Sequence, residues 1–527
     1  MLKRLIVGWL FIWLLSVISP VVGQFNDEGF KFMKVFNLID SRYVDTVNMN
    51  KLTDETIRDM LHKLDPHSVY ITKDEAEAMN EPLVGNFEGI GVSFNIFKDT
   101  ILIVSPIPGG PSEKLGIRAG DRIVKIADEN VAGIGITTKQ VFAKLRGKKG
   151  TIVKVDIKRH GINDLISFMI TRDKIPIFSI DAAYKVDINT GYIRLSRFSA
   201  TTTSEINETL KKFKKEGISN IILDLSGNGG GYLDAAVSLA DEFLETNRQI
   251  VFTLGAHSLK KEYFSTSNGL FESGKLVIIT DEGTASASEI VAGAIQDWDR
   301  GIIVGRRSFG KGLVQNPFTF SDGSIIRLTV ARYYTPTGRL IQKPYADGYD
   351  EYAHDLSNRF SHGELSNKDS IHFTNASKYY TLLRKRVVYG GGGIMPDVFV
   401  PIDTTDFTVS YQRIVAKGIL NDFVLNFVDQ NRDNLKIKYT DFQNFKTNFI
   451  IDSIFLQRLI AYASQKSLTF KTSDFEKSKH LLAVTLKASV ARDLWGSSEF
   501  YEILNSADSS YNKSIEVLSK WNSYFSK

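Results

Sequence analysis

The sequence predicts a multidomain chain of mixed α+β and α/β class, for three reasons. The chain has 527 residues, which is several times the usual size of one domain. Between residues 190 and 315, short runs rich in Val and Ile alternate with helical segments, the pattern of an α/β core. Beyond residue 402 the apolar residues recur mainly at helical spacing, so we expect an all-helical appendage at 402–527.

Composition excludes several classes of protein. Hydrophobic residues make up 43% of the chain, enough for packed cores, and the mean hydropathy of −0.11 excludes a polytopic membrane protein. The net charge of +5 is spread without a long basic run, so no nucleic-acid partner is predicted. The absence of cysteine excludes disulfides, thiol chemistry and cysteine-ligated metals.

The first 23 residues have the layout of a signal peptide. Lys3 and Arg4 precede the apolar run 5–18, and small residues precede a cleavage point before Gln24. We therefore expect export to the periplasm. An uncleaved anchor that tethers the protein to the membrane is the alternative.

Residues 24–83 are predicted to form an N-terminal helical region. One apolar stripe includes Phe32 and Val35, and a second includes Ile57 and Leu61. The second stripe ends at the sequence LDPHS, residues 64–68, where a proline stops the helix and His67 is expected to be a turn or capping residue.

Residues 84–161 are predicted to form a small domain that binds peptide ends. A Gly-rich turn precedes an alternating strand at 93–97, and such a turn can hold a terminal carboxylate with its N–H groups while the strand edge pairs with the peptide. The turn consists of Gly89, Ile90, Gly91 and Val92. On the helix predicted at 138–145, Val141 and Leu145 either line a pocket for a terminal side chain or belong to the core.

Residues 162–401 are predicted to hold the catalytic core. A strand at 275–280 leads through a small-residue turn into a helix at 289–298, which puts Ser286 at a helix N-terminus that favours a developing oxyanion. Lys311 lies in a glycine-flanked loop and could act as a base if burial keeps its amine neutral, with Gln315 holding that amine. The residues alone leave open that Ser286 is a helix cap and Lys311 a solvated charge.

Two further segments give weaker signals. A glycine cluster at 226–231 follows a strand, but no Lys-Ser/Thr pair follows it as a nucleotide loop would require. Residues 345–385 are polar and are expected to be an irregular surface excursion, in which His354, His362 and His372 fit no usual metal spacing. In the helical appendage no motif is found, and a packing or docking module is expected.

Several motifs in register resemble those of the carboxyl-terminal processing proteases, also called tail-specific proteases. The runs TASASEIVAGAIQD (284–297) and GRRSFGKGLVQ (305–315) resemble the active-site signature of that family, and the run from Gly110 to Asp121 resembles bacterial PDZ domains. The resemblance covers roughly residues 32–401. It implies a ββα-type serine protease core with Ser286 as nucleophile, Lys311 (311 − 286 = 25 residues later) as general base, and Gln315 orienting the lysine.

The resemblance also implies an oxyanion hole. The glycine cluster is similar to the family's D-L-R-x-N-P-G-G turn, which carries the role over to the N–H groups of Gly230 and Ala287. Ser226 and Gly229 stand where the family has arginine and proline. In some members the N-terminal helical region mediates dimerisation.

The expected function is that of an exported serine endopeptidase whose PDZ domain selects apolar, unstructured protein C-termini, with no cofactor and no metal. The helical regions could serve an adaptor or a homo-oligomer. Two alternatives stay open: a Ser–His hydrolase with His257 as base, and a catalytically inactive PDZ scaffold of the same fold that binds a ligand.

Overall fold

The structure, a computed structural model, describes residues 27–371 and 377–525. The predicted signal peptide at 1–23 and His372 lie outside the described residues. The chain divides into two compact units, residues 1–64 and 65–527. Of the helices in the described ranges, none is both long and apolar enough to cross a membrane.

The described part of the first unit consists of two helices, α1 (Asp27–Arg42) and α2 (Met49–His62). Asn48 caps α2 by accepting a hydrogen bond from the Lys51 N–H at 3.1 Å. No side chain of α1 is buried, and Phe30, Phe32 and Val35 are all more than half exposed. The N-terminal helical region thus has the predicted character.

The second unit begins with a short strand and the domain predicted to bind peptide ends. Its elements are β1 (Val69–Ile71), α3 (Lys73–Val84), β2 (Asn86–Gly89), β3 (Val92–Phe97), β4 (Thr100–Pro106), α4 (Pro111–Lys114), β5 (Arg122–Ile126), β6 (Glu129–Asn130), α5 (Thr138–Leu145), β7 (Ile152–Lys158), β8 (Ile166–Thr171) and β9 (Asp173–Pro176). Strands β3, β4, β5, β7 and β8 form one sheet, with β6 beside β5, and β2 pairs with β9. Because β8 pairs with β7, the predicted domain end at 161 falls inside a hairpin, and the sheet continues to residue 171.

The catalytic core follows in an α/β arrangement. Its elements are β10 (Ile180–Lys185), β11 (Thr190–Leu195), α6 (Thr202–Lys215), β12 (Asn220–Asp224), α7 (Leu233–Asp241), β13 (Gln249–Gly255), β14 (Ser258–Phe264), β15 (Leu276–Thr280), α8 (Ala287–Asp297), β16 (Ile302–Gly305), β17 (Leu313–Thr319), β18 (Ile325–Tyr334), α9 (Tyr349–Ser361), β19 (Lys378–Tyr380), β20 (Val387–Tyr389) and β21 (Val398–Phe399).

The central sheet of this core has the order β10-β11-β12-β15-β16-β21 and is parallel from β11 onward. Its strands are apolar on both faces because each face is covered, and α6, α7 and α8 contribute to the core on one of them. The carboxyl ends of β12 and β15 are neighbours, so the glycine turn after Asp224 and the turn that contains Ser286 meet at one edge. In open α/β sheets this edge is where sites form.

A second sheet brings distant parts of the chain to that edge. Strand β18 pairs with β17, β13 and β1, and the register puts Gln315 opposite Thr329 and Val69 opposite Arg327. The segment 345–385 was expected to be irregular, and this prediction was wrong. It contains α9, whose Tyr352 and Arg359 are buried, and its polar residues satisfy ion pairs in the interior.

The chain ends in helices, as predicted. They are α10 (Val409–Ala416), α11 (Ile419–Lys438), α12 (Phe442–Asn448), α13 (Ser453–Gln465), α14 (Thr472–Leu494), α15 (Ser497–Leu504), α16 (Ser509–Ser519) and α17 (Trp521–Phe525). The last part is not a separate appendage, however, because Tyr511 and Leu518 of α16 pack in a core with Tyr192 and Ile222 of the central sheet. Helix α11 contacts the peptide-binding domain, with an ion pair between Asp429 and Arg122 at 2.6 Å.

Candidate active site

Ser286 occupies a strained position between strand and helix. It is the N-cap of α8, with φ = 55° and ψ = −115°, a conformation that non-glycine residues rarely adopt. The Asn228 carbonyl holds the turn in place by accepting hydrogen bonds from the Ala285 N–H and the Ser288 hydroxyl, each at 2.9 Å. Strain of this kind persists only where surrounding contacts fix it, and it is common at catalytic residues.

Glu289 joins the serine turn to the lysine loop. Its Oε2 accepts from the N–H groups of Ser286 and Lys311, each at 2.8 Å, and its Oε1 accepts from the Gly310 N–H at 2.7 Å and the Ser308 hydroxyl at 2.5 Å. Burial raises the pKa of the Glu289 carboxyl to about 7, against the opposing effect of these donors. The arrangement matches the ionised carboxylate, which only accepts hydrogen bonds.

Tyr333 makes a second link between the same two residues. Its buried hydroxyl donates to the Ser286 carbonyl at 3.0 Å and contacts the Lys311 carbonyl. Ser286 and Lys311 are therefore fixed relative to each other through their N–H groups and through their carbonyls. These links are made by the backbones of the serine and the lysine, not by their side chains.

The surroundings of Lys311 favour a neutral amine. Burial lowers the pKa of Lys311, the positive charge of Arg327 lowers it further, and the carboxylates of Glu289 and Asp65 oppose both effects. Within the described residues, no hydrogen bond joins Ser286 Oγ to Lys311 Nζ. Catalytic contacts of this type often tighten only when substrate is bound.

Gln315 and Ser286 line the same cleft, and hydrogen bonds through Thr329 hold the Gln315 amide in place. Its Nε2 donates to the Thr329 hydroxyl at 3.3 Å, and that hydroxyl donates to Asp65 Oδ1 at 3.0 Å. The structure therefore brings Ser286, Lys311 and Gln315 together, although they come from a helix N-terminus, a loop and a strand.

The cleft in front of Ser286 has a volume of about 570 Å³. Beside Ser286, Ala287 and Gln315, its lining combines apolar side chains such as Leu233, Ile290 and Leu313 with polar and charged ones such as Asp234, Lys261 and Asn316. It has room for an extended segment of substrate.

Two backbone groups were predicted to form the oxyanion hole. Ala287 is the first residue of α8, a position whose N–H has no partner within a helix. Gly230 lies against it, since a Cβ at Gly230 would come within 2.8 Å of Ser286 Cβ and 2.9 Å of the Ala287 nitrogen. In this conformation the Gly230 N–H donates to Asn228 Oδ1 at 2.9 Å, so it can serve an oxyanion only by leaving or sharing that acceptor.

The two departures of the glycine turn from the family pattern are accommodated locally. Where the family has an arginine, the Ser226 carbonyl accepts a hydrogen bond at 3.1 Å from Arg194, which comes from the neighbouring strand and also pairs with Asp224. The guanidinium thus reaches the turn from β11 rather than from the turn itself. Gly229 has open space around the position of a Cβ, so the missing proline leaves no close contact unfilled.

The predicted peptide-end turn joins β2 to β3, which is the edge strand of the domain's sheet. Gly89 ends β2, Gly91 has φ = 75°, and Val92 begins β3, while the Ile90 carbonyl accepts hydrogen bonds from Ser112. Val141 and Leu145 of α5 are buried in the core of the domain, so of the two predicted roles they have the structural one.

Of the histidines that the structure describes, neither His257 nor His67 is placed to act as a base for Ser286. His257 lies exposed at the turn of the β13–β14 hairpin and does not line the cleft. His67 bonds the Tyr352 hydroxyl at 2.7 Å, and burial together with the charge of Lys311 lowers its pKa to about 4. His67 is therefore neutral near pH 7, and it lies close enough to Lys311 for the two charges to interact.

Sequence reasoning missed three residues of this site, namely Glu289, Tyr333 and Asp65. A signal existed for Glu289, because a Glu three residues after a helix-capping Ser is the capping-box pattern. Tyr333 and Asp65 reach the site only through the pairing of β18, which no local pattern reveals. Within residues 27–371 and 377–525, no cluster of three His, Asp or Glu side chains could hold a metal ion.

Models of known families match four segments of the chain. Peptidase family S41 matches residues 189–348, the PDZ domain 102–159, the activating protease CtpB N-terminal domain 21–75, and a family of unknown function 410–496. The catalytic core and the peptide-binding domain are thus matched where they were predicted, and the helical C-terminal region has no functional description.

Individual proteins that resemble this chain agree with the family matches. The chain is 36% identical over 331 residues to carboxy-terminal processing protease CtpB of Bacillus subtilis, covering 62% of this chain and 68% of that protein. It is 35% identical over 337 residues to CtpA of the same organism, covering 62% of this chain and 70% of that protein. Among solved structures, the photosystem II D1 C-terminal processing protease is 29% identical, with 60% and 90% of the two chains covered and a TM-score of 0.33, which is too low to carry an argument.

Proposed function

This chain belongs to the carboxy-terminal processing proteases of peptidase family S41, and from that premise we propose that it is exported and cleaves protein substrates through an acyl-enzyme on Ser286. It is a serine-type peptidase with a PDZ domain. The observation that carries the proposed mechanism is the shared anchoring of Ser286 and Lys311 by Glu289 Oε2.

The first chemical step forms the acyl-enzyme. The neutral amine of Lys311 removes the proton of the Ser286 hydroxyl while Oγ bonds to the scissile carbonyl carbon, whose oxygen becomes an oxyanion. The Ala287 N–H, aided by the positive end of α8, stabilises that charge, with Gly230 as the second donor once its N–H leaves Asn228. When the carbon–nitrogen bond breaks, the Lys311 ammonium gives its proton to the leaving amine.

The second step releases the product and restores the enzyme. Lys311, again neutral, removes a proton from water as the water oxygen bonds to the ester carbon. Collapse of this intermediate breaks the bond to Ser286 Oγ, which takes the proton back from Lys311. Gln315 orients the amine in both steps, and no cofactor takes part in either.

The substrates follow from the two binding surfaces. Within the cleft, Leu233, Ile290 and Leu313 favour an apolar side chain beside the scissile bond. The PDZ domain selects apolar, unstructured protein C-termini by β-augmentation along β3. Because a signal peptide is expected at residues 1–23, these substrates are periplasmic proteins, or membrane-proximal ones if the N-terminus is an uncleaved tether.

The test is cleavage of a protein with an apolar, unstructured tail by the full chain. Ser286→Ala and Lys311→Ala are each expected to abolish cleavage while circular dichroism and the thermal midpoint stay close to those of the wild type. Replacing the tail with a charged one is expected to raise KM. Cleavage that survives in Ser286→Ala would refute the assignment of the nucleophile.

A further inference from the structure

The turn formed by residues 65–68 lies against the back of the active site, although it precedes the PDZ domain in the chain. Asp65 is only 7% exposed, and its Oδ1 accepts from the N–H groups of His67 at 2.8 Å and Ser68 at 2.9 Å. Its Oδ2 accepts from the Ser68 hydroxyl at 2.6 Å, and the Ser68 oxygen in turn accepts from the Thr329 N–H at 3.1 Å. A buried carboxylate is thus fixed beside β18 by its own turn.

The donor and the acceptor can be assigned for each hydrogen bond that leads from Asp65 through Thr329 to Gln315. An ionised carboxylate can only accept, so the single hydroxyl proton of Thr329 goes to Asp65 Oδ1. The Thr329 oxygen can therefore only accept from the side chain opposite it, and it does so from Gln315 Nε2 at 3.3 Å. With its NH₂ directed at Thr329, Gln315 keeps its carbonyl oxygen for a donor elsewhere.

The orientation of the Gln315 amide affects the proposed base, Lys311. A lysine amine that must stay oriented toward the serine needs an acceptor for its other N–H groups, and an amide carbonyl supplies one. A glutamine amide is nearly symmetric in shape, so only its hydrogen bonds decide which end faces which neighbour. If the Thr329 proton were not committed to Asp65, the amide could flip and present its NH₂ group to Lys311 instead.

We propose that Asp65 is a positioning residue of the active site, which acts through the Thr329 hydroxyl to fix the carbonyl end of Gln315 toward Lys311. This inference rests on the proposed function, since it assigns a role within the Ser286–Lys311–Gln315 mechanism. It also explains why a turn from before the PDZ domain is built into the catalytic core.

Asp65 also acts on Lys311 through its charge, and the two effects can be separated. The charged or titratable groups that face Lys311 are Glu289 from α8, Arg327 from β18, and Asp65 and His67 from the turn. Asp65→Asn removes one negative charge and therefore moves the acid limb of the pH–rate profile to lower pH. Thr329→Val removes the hydroxyl at nearly constant shape and leaves every charge in place.

The experiment is a double-mutant cycle on the full chain with a tailed protein substrate, with kcat and KM measured separately. Thr329→Val is expected to lower kcat by about 10- to 100-fold with little change in KM, and Thr329→Ser to recover most of that loss. In a Gln315→Ala background, Thr329→Val is expected to change kcat by less than about twofold, because the residue it positions is gone. Asp65→Asn is expected to lower kcat and shift the acid limb.

The outcomes separate this inference from the function on which it rests. If Ser286→Ala is inactive but Thr329→Val keeps kcat within about threefold of the wild type, or its loss is fully additive with Gln315→Ala, the positioning role is refuted and the protease assignment stands. A fall in kcat for Asp65→Asn that persists in full in the Gln315→Ala background would mean that Asp65 only supports folding, which also refutes the role. Wild-type cleavage that survives Ser286→Ala would overturn both.

Discussion

The backbone N–H groups of Ser286 and Lys311 donate to the same oxygen atom, Oε2 of Glu289, over 2.8 Å each. The proposed nucleophile and the proposed base are thereby held by one buried carboxylate. The separation of the two residues is set by the backbone, so their side chains need no contact with each other before substrate arrives.

Glu289→Gln tests this shared anchor. The amide puts an NH₂ group where the carboxylate accepts from two donors, and leaving buried donors unsatisfied costs about 1–3 kcal/mol for each group. We expect kcat to fall at least about 100-fold and the free energy of unfolding near pH 7 to decrease. The matched control is Glu208→Gln on the exposed face of α6, which should leave both unchanged.

The same residue predicts a pH dependence of stability. Burial raises the folded-state pKa of Glu289 to about 7, above its ordinary value of 4.5. The contribution of this titration to stability is therefore full below pH 4.5 and is lost as the pH rises through 7, by about 3 kcal/mol over the interval. Urea unfolding at a series of pH values should show this loss in the wild type and not in Glu289→Gln.

Arg327→Gln tests the electrostatics of the base. Only the neutral amine accepts the serine proton, so kcat/KM rises with pH through the pKa of Lys311. Removing a positive neighbour raises that pKa, and the acid limb should move to higher pH. Arg332→Gln, an exposed position on the same strand, is the control, and an equal shift in both variants would contradict a local effect.

Tyr333→Phe tests the second link between the two catalytic residues. Its hydroxyl bonds the carbonyls of both, and loss of one such hydrogen bond is worth about 1 kcal/mol, which corresponds to a fall of about fivefold in kcat. Tyr334→Phe is the natural control because Tyr334 stacks on Phe252 outside the site. Cleavage assays would measure kcat for both variants. Equal kcat values for Tyr333→Phe and Tyr334→Phe would argue against the link.

Leu518→Ala tests whether the last helices belong to the catalytic core. Leu518 is 6% exposed and packs with the central sheet, so its truncation should lower the free energy of unfolding by about 2–4 kcal/mol. Ile454→Ala, at a side chain that is 62% exposed, should change it by less than about 0.5 kcal/mol. If the protease core melts unchanged in Leu518→Ala, α16 is only an appendage.

Much of this architecture could be predicted from the sequence because its signals are local. The apolar run before Thr284, the small residues around Ser286 and the helical spacing after it are enough to predict strand, turn and helix. The same holds for the glycine turn after Asp224. That these two turns meet was implied only by the resemblance to the protease family, and the structure shows it through the parallel pairing of β12 with β15.

The remaining features depend on long-range pairing, which no local pattern encodes. Asp65 meets Thr329 only because β1 adds to β18. The polar segment after residue 345 forms a partly buried helix because Glu364 pairs with the distant Arg307 as well as with Arg359. Beyond the predicted PDZ boundary at 161, β8 pairs with β7 through a polar hairpin. In these segments polarity alone predicts exposure to solvent and gives no sign of the pairing.

The central claim, that Lys311 activates Ser286, is tested most directly by mass spectrometry after treatment with a fluorophosphonate, a reagent that reacts with activated serine hydroxyls. The wild type and His257→Ala should each carry one phosphonyl group, and peptide mapping should locate it at Ser286. Lys311→Met, which keeps the length of the side chain but has no amine, should remain unlabelled while folded. Labelling of Ser286 at the wild-type rate in Lys311→Met, or its loss in His257→Ala, would contradict the mechanism.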